Sequence, residues 1–206
     1  MNGFGIMGGP TLARHKFHLP LINQDLKTKY LMGFNACAFA EFGHNDYLRW
    51  QTEIQYNKKG SHDKVGGDFK NKLGYLCWNN FLKVRIENFF GIPYFLLGAR
   101  FEYLLSQKIQ SPTITSSFYK FHGSPSIGAG WEFTVFSSFK PIVEAHYNPD
   151  IKLLAYKSST LEAFNRPWEL RIGLKYVFVN TSNGGSCPAA NPSRAPDGYL
   201  KKKLKR

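Results

Sequence analysis

Apolar and polar residues alternate with a period of two through most of the chain. Between Trp168 and Phe178 every second residue is large and apolar, while Glu169, Arg171 and Lys175 lie at intervening positions. Because successive side chains of a β-strand point to opposite faces, this pattern predicts a strand with one apolar and one charged face. Similar alternation predicts eight strands in all, at residues 4–14, 30–41, 47–57, 78–87, 95–105, 126–136, 141–147 and 168–178.

The predicted connections between these strands alternate in length. They cover residues 15–29, 42–46, 58–75, 88–92, 107–124, 138–140 and 157–167. An antiparallel meander follows, with all of its long loops at one end. Strands of about 10 residues with alternating polarity, tight turns and long opposite loops are typical of outer-membrane β-barrels. We therefore predict an all-β fold: an eight-stranded antiparallel up-and-down transmembrane barrel at residues 1–178, with both termini in the periplasm.

The apolar face could point inward, as in a soluble barrel that binds an apolar ligand, or outward to lipid. Aromatic residues near the strand ends favour the outward orientation, because aromatic belts mark the two interfaces of a membrane barrel. Glycines on the charged face also leave space for long side chains inside a narrow barrel. The predicted belt residues are Trp50, Tyr56, Phe95, Tyr103, Trp168, Tyr176 and Phe178.

An outward apolar face places the charged residues in the barrel interior. The predicted interior ion network consists of Arg49, Glu53, Lys83, Arg85, Glu87, Arg100, Glu102, Glu132, Glu144, Glu169, Arg171 and Lys175. An unpaired buried ion is very costly, so we expect pairing between neighbouring strands, with Arg100 and Glu102 beside Lys83, Arg85 and Glu87. Because eight strands enclose a space that side chains fill, the sequence predicts an occluded lumen.

The chain is strongly basic, with 27 lysines and arginines against 14 acidic residues and a formal net charge of +13. Such a charge favours an anionic partner. The predicted long loops carry lysines that either bind anionic headgroups or only keep the loops solvated: Lys16, Lys27, Lys29, Lys58, Lys59, Lys64, Lys70, Lys72, Lys108 and Lys120. No nucleic-acid-binding signature accompanies them. We expect outer-membrane lipid and lipopolysaccharide as partners, and no nucleic acid.

Local motifs for cofactors and metals are weak. Glycines at residues 3–8 match the spacing of a dinucleotide fingerprint, but no strand precedes them and Pro10 falls where a helix should run. His15 and His18 could supply two metal ligands, with no evident third. We therefore predict no cofactor and no metal. The three cysteines, which have no C-x-x-C spacing, are interpreted as unpaired: Cys37, Cys77 and Cys187.

One group of residues could support catalysis. His146 lies on the charged face of its predicted strand, with Glu144 beside it and Ser126 on the preceding strand. Serine, histidine and an acid are the groups that nucleophilic catalysis requires. Packing and ion pairing explain all three residues as well, so we predict no enzymatic activity. A lipid-modifying outer-membrane enzyme is the alternative.

Five short segments also carry a family resemblance through their order along the chain. They are residues 33–36 (GFNA), 48–60 (LRWQTEIQYNKKG), 81–85 (FLKVR), 93–100 (PYFLLGAR) and 173–178 (GLKYVF). In this order they resemble the PorT-like outer-membrane β-barrel domains of Bacteroidota. The resemblance implies an eight-stranded barrel in the outer membrane of a Gram-negative bacterium. Because the predicted lumen is occluded, we expect a non-enzymatic assembly or interaction component with protein partners in a larger outer-membrane complex, and the resemblance implies a role accessory to type IX protein secretion.

The two ends of the chain differ in composition from the predicted barrel. The first residues have no apolar signal-peptide core, and since the barrel requires export, we expect the gene to encode a signal peptide ahead of about Asn2. Residues 179–206 are rich in Pro, Gly and Ser and end in the basic run 201–206. This composition cannot form a core, so we predict a flexible periplasmic tail.

Deletion of residues 193–206 should leave the barrel folded while weakening the co-purification of a periplasmic partner. The weakening should depend on salt, because a basic tail binds mainly through screened Coulombic attraction. Affinity isolation at low and high salt, with and without these residues, measures the effect. Equal recovery of partners in all four samples would show that the tail is a passive extension.

Overall fold

The computed structural model of the protein describes residues 1–13, 15–19, 24–26, 29–43, 45–63, 69–86, 91–108, 120–136, 138–149 and 162–178. The strands are β1 (Gly3–Ala13), β2 (His15–Leu19), β3 (Gln24–Leu26), β4 (Lys29–Phe42), β5 (Leu48–Asp63), β6 (Phe69–Arg85), β7 (Ile92–Lys108), β8 (Phe121–Glu132), β9 (Phe139–Tyr147), β10 (Glu162–Asn165) and β11 (Trp168–Val177). Within the described ranges no helix is long and apolar enough to cross a membrane. The predicted tail, residues 179–206, lies outside the described residues.

Eight strands close into a barrel in the order β1, β4, β5, β6, β7, β8, β9 and β11, with β11 returning to β1. Each neighbouring pair is antiparallel, and the closing pair joins Gly3 to Val177 at one end and Leu12 to Trp168 near the other. Gly3 also pairs with Glu41, so both ends of the barrel segment lie beside the short connection between β4 and β5. We call this the turn end and the opposite end the loop end. The predicted eight-stranded up-and-down barrel is confirmed.

Several barrel strands are longer than their alternation predicts. The predicted loop at residues 58–75 is largely a continuation of β5 and β6, which pair without interruption from Leu48 and Val84 to Asp63 and Phe69. The apolar alternation stops earlier because both faces of a strand can be polar beyond the lipid, although backbone pairing continues. The predicted strand at residues 126–136 instead spans Phe121–Glu132.

Parts of two predicted loops form a second, three-stranded sheet in the order β10, β2, β3. β2 pairs antiparallel with both neighbours. β2 and β3 lie in the connection from β1 to β4, and β10 lies in the connection from β9 to β11. Both connections leave the barrel at its loop end, so this small sheet belongs to that end of the molecule.

The barrel wall is apolar outside and polar inside, the reverse of a soluble protein. Large apolar side chains on the outer face are solvent-exposed in the isolated chain, among them Ile6 at 68% and Ile172 at 64%. Arg100, Glu102 and Arg171, on the opposite face, are fully buried. A continuous apolar outer surface of this kind is stable against lipid rather than water. The apolar face therefore points outward, and the barrel is a transmembrane one.

Ile172→Arg should lower the free energy of unfolding by about 2–4 kcal/mol, the cost of a cation at the bilayer midplane. Ile172 lies halfway along β11 between Trp168 and Tyr176. Leu12→Arg is the matched control, because Leu12 is also outward-facing but pairs with Trp168 near the loop end. It should cost only about 0–1 kcal/mol. Equal losses in denaturant titrations of both variants in lipid vesicles would contradict this placement of the membrane.

Candidate functional site: the charged barrel interior

Ionisable side chains fill much of the barrel interior. Among the described residues, seven cationic and six carboxylate side chains are buried. They are Arg49, Lys59, Lys83, Arg85, Arg100, Arg171 and Lys175, with Glu41, Glu53, Glu102, Glu132, Glu144 and Glu169. This near balance of charge meets the requirement that ions removed from water be paired.

A first group of these ions, the turn-end cluster, consists of Glu41, Arg49, Lys83, Arg85, Glu132 and Lys175. Lys83 Nζ lies 2.6 Å from Glu41 Oε1 and 2.7 Å from Glu132 Oε1. Lys175 Nζ contacts the same two carboxylates, at 2.5 and 2.9 Å. The two lysines and two glutamates thus form a closed square of ion pairs. Lys83 also lies 3.6 Å from the centre of the Tyr94 ring, a cation–π contact.

A second group, the central cluster, consists of Glu53, Arg100, Glu144, Glu169 and Arg171. The guanidinium of Arg100 binds both oxygens of Glu169, with distances of 2.5 Å from Nη1 to Oε1 and 3.0 Å from Nη2 to Oε2. Arg171 lies 2.8 Å from Glu53 Oε2 and 2.6 Å from Glu169 Oε2. Because two-pronged contacts fix the planar guanidinium in position, the cluster is rigid as well as neutralised.

Amide side chains complete the central cluster. Gln55 Nε2 and Asn57 Nδ2 donate to Glu169 at 3.0 and 2.6 Å. Asn79 Nδ2 donates to Glu53 at 2.9 Å, while its oxygen accepts from Arg100 Nε at 2.9 Å. The predicted network omits these amides. The sequence does indicate their inward orientation, because they alternate with the outward apolar residues of β5 and β6.

The third group, the loop-end cluster, consists of Lys59, Glu102 and His122. Lys59 Nζ lies 2.5 and 2.8 Å from the two oxygens of Glu102, and His122 Nε2 lies 2.8 Å from Glu102 Oε2. The interpretation of Lys59 as a loop lysine is wrong, because β5 continues past Asn57 and its alternation turns Lys59 inward. Of the other loop lysines of the prediction, Lys27 and Lys64 lie outside the described residues.

All described members of the predicted ion network are buried in the interior, and Glu87 lies outside the described residues. The predicted pairing of Arg100 and Glu102 with Lys83 and Arg85 is wrong. The register places Arg100 opposite Asn79, whereas Lys83 and Arg85 lie closer to the turn end. Arg100 on β7 instead reaches Glu169 on β11, which is not a neighbouring strand. Long side chains in a narrow barrel can thus pair across the lumen.

The seven predicted belt residues all lie on the outer surface at two levels. Trp50, Phe95, Tyr176 and Phe178 are near the turn end, and Tyr56, Tyr103 and Trp168 are toward the loop end. Further aromatic residues join them: Phe139 contacts Tyr176 with ring centres 5.2 Å apart, and Tyr147 contacts Trp168 at 4.7 Å. Two aromatic girdles of this kind match the two interfaces of a bilayer.

The residues considered for catalysis are packed in the interior. His146 Nε2 lies 2.8 Å from Glu144 Oε2, but the Ser126 hydroxyl bonds Asn148 Oδ1 instead of the histidine. The serine–histidine contact of an activated nucleophile is therefore not formed. Both Ser126 and His146 are at most 1% exposed.

The described residues contain no group of three or more His, Cys, Asp or Glu side chains that could hold a metal ion. The side chains of His15 and His18 lie outside this description. Cys37 and Cys77 are free and buried, and Cys187 is not among the described residues.

Known structures of similar fold are small outer-membrane barrels. The solid-state NMR structure of the outer membrane protein AlkL in DMPC bilayers has a TM-score of 0.53 and 13% identity, over 88% of this chain and 92% of AlkL. Neisserial surface protein A has a TM-score of 0.49 and 17% identity, over 85% of this chain and 97% of that protein. Ail of Yersinia pestis has a TM-score of 0.44 and 19% identity, over 85% of this chain and 100% of Ail. No family model matches the chain, and a comparison with curated proteins gives no match.

The likeness to AlkL agrees with the geometry of the barrel on the fold. The closed eight-stranded wall and its apolar outer surface define a small outer-membrane β-barrel fold. At the identities found, the likeness shows the fold alone. What the barrel does must therefore be argued from its own interior and surfaces.

Arg100→Leu should lower the free energy of unfolding by about 3–5 kcal/mol, because it leaves Glu169 and the surrounding amides without their main cationic partner. The double variant Arg100→Leu/Glu169→Leu should lose less than the sum of the two single variants, since neither buried charge is then left alone. Denaturant titration in detergent micelles measures both effects.

Arg166→Leu is the matched control, since Arg166 is an exposed arginine just before β11. Its substitution should change the free energy of unfolding by no more than about 0.5 kcal/mol. If Arg100→Leu were as mild as this control, Arg100 would not belong to a buried ion network.

Proposed function

We propose that this protein is a non-enzymatic outer-membrane barrel that acts as an assembly or interaction component of a larger membrane complex. The filled interior carries this proposal. At the level of the central cluster, Arg100, Arg171 and Asn79 are fully buried and joined across the lumen through Glu53 and Glu169. A barrel closed in this way offers no water-filled path for a solute. Its activity must then lie on its outer surfaces.

The asymmetry of the barrel supports an orientation in the membrane. The turn end holds the short connections and both ends of the barrel segment, and the loop end holds the second sheet. Outer-membrane barrels place their short turns in the periplasm and their longer connections outside the cell. In this orientation both termini are periplasmic, and the loop end faces the lipopolysaccharide leaflet and any external partner.

The second sheet supports a role in binding proteins. In its order β10, β2, β3, the strands Gln24–Leu26 and Glu162–Asn165 are edge strands. An edge strand presents backbone donors and acceptors that an extended segment of a partner can pair with. The resemblance of the chain to PorT-like domains supports a narrower version of the proposal, in which the complex is that of type IX protein secretion.

The alternative of a lipid-modifying enzyme gains no support from the geometry. Ser126 bonds Asn148, and His146 bonds Glu144, both inside the packed interior. Neither side chain is positioned to reach an acyl ester in the surrounding bilayer.

Site-specific photo-crosslinking in native outer membranes tests the interaction role. A photoreactive amino acid at Asp25 in β3 or Ala163 in β10 should give discrete protein adducts, because both positions lie on edge strands. The same group at Ile172, on the lipid-facing wall, is the matched control and should give no protein adduct. Failure to capture any protein from either edge strand would argue against the proposed role.

Planar-bilayer recordings of the purified barrel test the occluded lumen separately. The conductance should stay at baseline, because the central cluster blocks the lumen. Regular single-channel steps from the unmodified protein would instead assign it a transport function.

A further inference from the structure

A cavity of about 400 Å³ lies in the barrel wall toward the loop end, where β4 and β5 lose their regular pairing. The two strands pair at Lys29 and Tyr30 and again from Asn35 onward, and the register shifts in between. Residues 31–34 and 58–60 therefore face each other outside the regular ladder. Gly33 approaches the carbonyl of Lys58 so closely that a Cβ would not fit. The cavity therefore lies beside a bulge in the wall.

The lining of the cavity is partly apolar and partly basic. It consists of Leu31, Met32, Gly33, Phe34, Lys58, Lys59 and Lys72. Met32 is 71% exposed and lies with Phe34 on the lipid-facing surface of β4. Lys59 is turned inward and pairs with Glu102. Lys58 and Lys72 are left as the cations of the outer rim of the cavity.

Lys58 and Lys72 carry positive charge that no carboxylate neutralises within the described part of the chain. Lys58 Nζ lies over the Phe34 ring, 5.8 Å from its centre, and Lys72 is exposed. The two are diagonal neighbours, since Lys58 pairs with Gly74 and Gly60 with Lys72. Lys72 is also directly opposite Lys108, and like charges so placed are destabilising. An anion bound here would relieve this repulsion.

The depth of the cavity in the wall favours a lipid as the source of that anion. Phe34 contacts Tyr56 of the loop-end aromatic girdle, with ring centres 5.7 Å apart. Lys58 follows Tyr56 by two residues toward the loop end on the same outer face of β5. Aromatic girdles lie at the headgroup level of a bilayer, and basic side chains just beyond them bind anionic headgroups. Phe34, at the level of this girdle, lies where an acyl chain would enter the bilayer.

We propose that this cavity binds the phosphate-bearing headgroup of an anionic lipid, with Lys58 and Lys72 contacting the phosphate and Phe34 contacting the acyl chain. The proposal rests on the proposed outer-membrane location and adds a defined lipid site to it. A charge-assisted contact from two ammonium groups to one phosphate supplies the affinity. The register shift between β4 and β5 supplies the cavity that a regular ladder lacks.

Short-chain lipid binding to the purified full chain in a neutral maltoside detergent tests this site. Three probes are titrated and followed by native mass spectrometry: diheptanoyl phosphatidic acid, diheptanoyl phosphatidylcholine and inorganic phosphate. Phosphatidic acid should bind most tightly. One lysine near an anionic headgroup corresponds to roughly a fivefold change in affinity, so Lys58→Gln/Lys72→Gln should weaken its binding about 25-fold. Lys58→Arg/Lys72→Arg should retain binding.

Lys120→Gln/Arg166→Gln is the matched control, because it removes two exposed cations that do not line the cavity. Its affinity for phosphatidic acid should stay within about twofold of the unmodified chain, since distant surface charges are screened. Heat-modifiable migration on gels verifies that each variant is a folded barrel.

Three results would overturn the proposal. The first is equal binding of phosphatidic acid to the unmodified chain and to Lys58→Gln/Lys72→Gln. The second is binding of phosphatidylcholine as tight as that of phosphatidic acid, which would mean that the apolar residues bind the lipid without the lysines. The third is binding of inorganic phosphate as tight as that of phosphatidic acid, which would mean that the site binds a free anion and not a lipid. Since the purified chain is tested without partner proteins, these results are independent of the crosslinking experiment on the second sheet.

Discussion

Backbone hydrogen bonding in the absence of water is the constraint on which the rest of this structure depends. A bilayer core offers no partner for a free N–H or C=O group, so a sheet that crosses it must close on itself. β1 and β11 satisfy this condition by pairing from Gly3 and Val177 to Leu12 and Trp168. Once the wall is closed, every strand has one face toward lipid and one toward the lumen. The lipid face must be apolar, and the polar residues of the chain have only the interior left.

The crowded interior then determines how its charges pair. Ions that are removed from water need partners, and in a narrow barrel the nearest partner can lie on the opposite wall. Arg100 of β7 reaches Glu169 of β11, and Lys83 of β6 contacts Glu41 of β4. Neither pair joins neighbouring strands. Besides neutralising charge, such contacts cross-link the wall across the lumen, and for this reason we propose a function on the outside of the molecule.

Beyond the lipid the constraint is relaxed, and the loop end shows the consequences. β5 and β6 continue past the aromatic girdle, a second sheet forms from β10, β2 and β3, and the register between β4 and β5 shifts. A bulge in the wall is tolerable there because water and headgroups can satisfy backbone groups left outside the ladder. The two surfaces to which we assign binding, the edge strands and the lysine-lined cavity, both depend on this freedom.

The sequence by itself determined the strand number, the barrel topology and which face of each strand is charged, because the bilayer imposes the same alternation on every crossing. For the same reason, the sequence alone predicts that Arg100, Glu169 and Arg171 lie on the inward face of their strands. Only the tertiary structure decided that Arg100 binds Glu169, that Lys59 turns inward to Glu102, and that a cavity opens beside Gly33. These features depend on strand register and barrel closure, which bring together residues far apart in the chain, and alternation within a single strand carries no information about either.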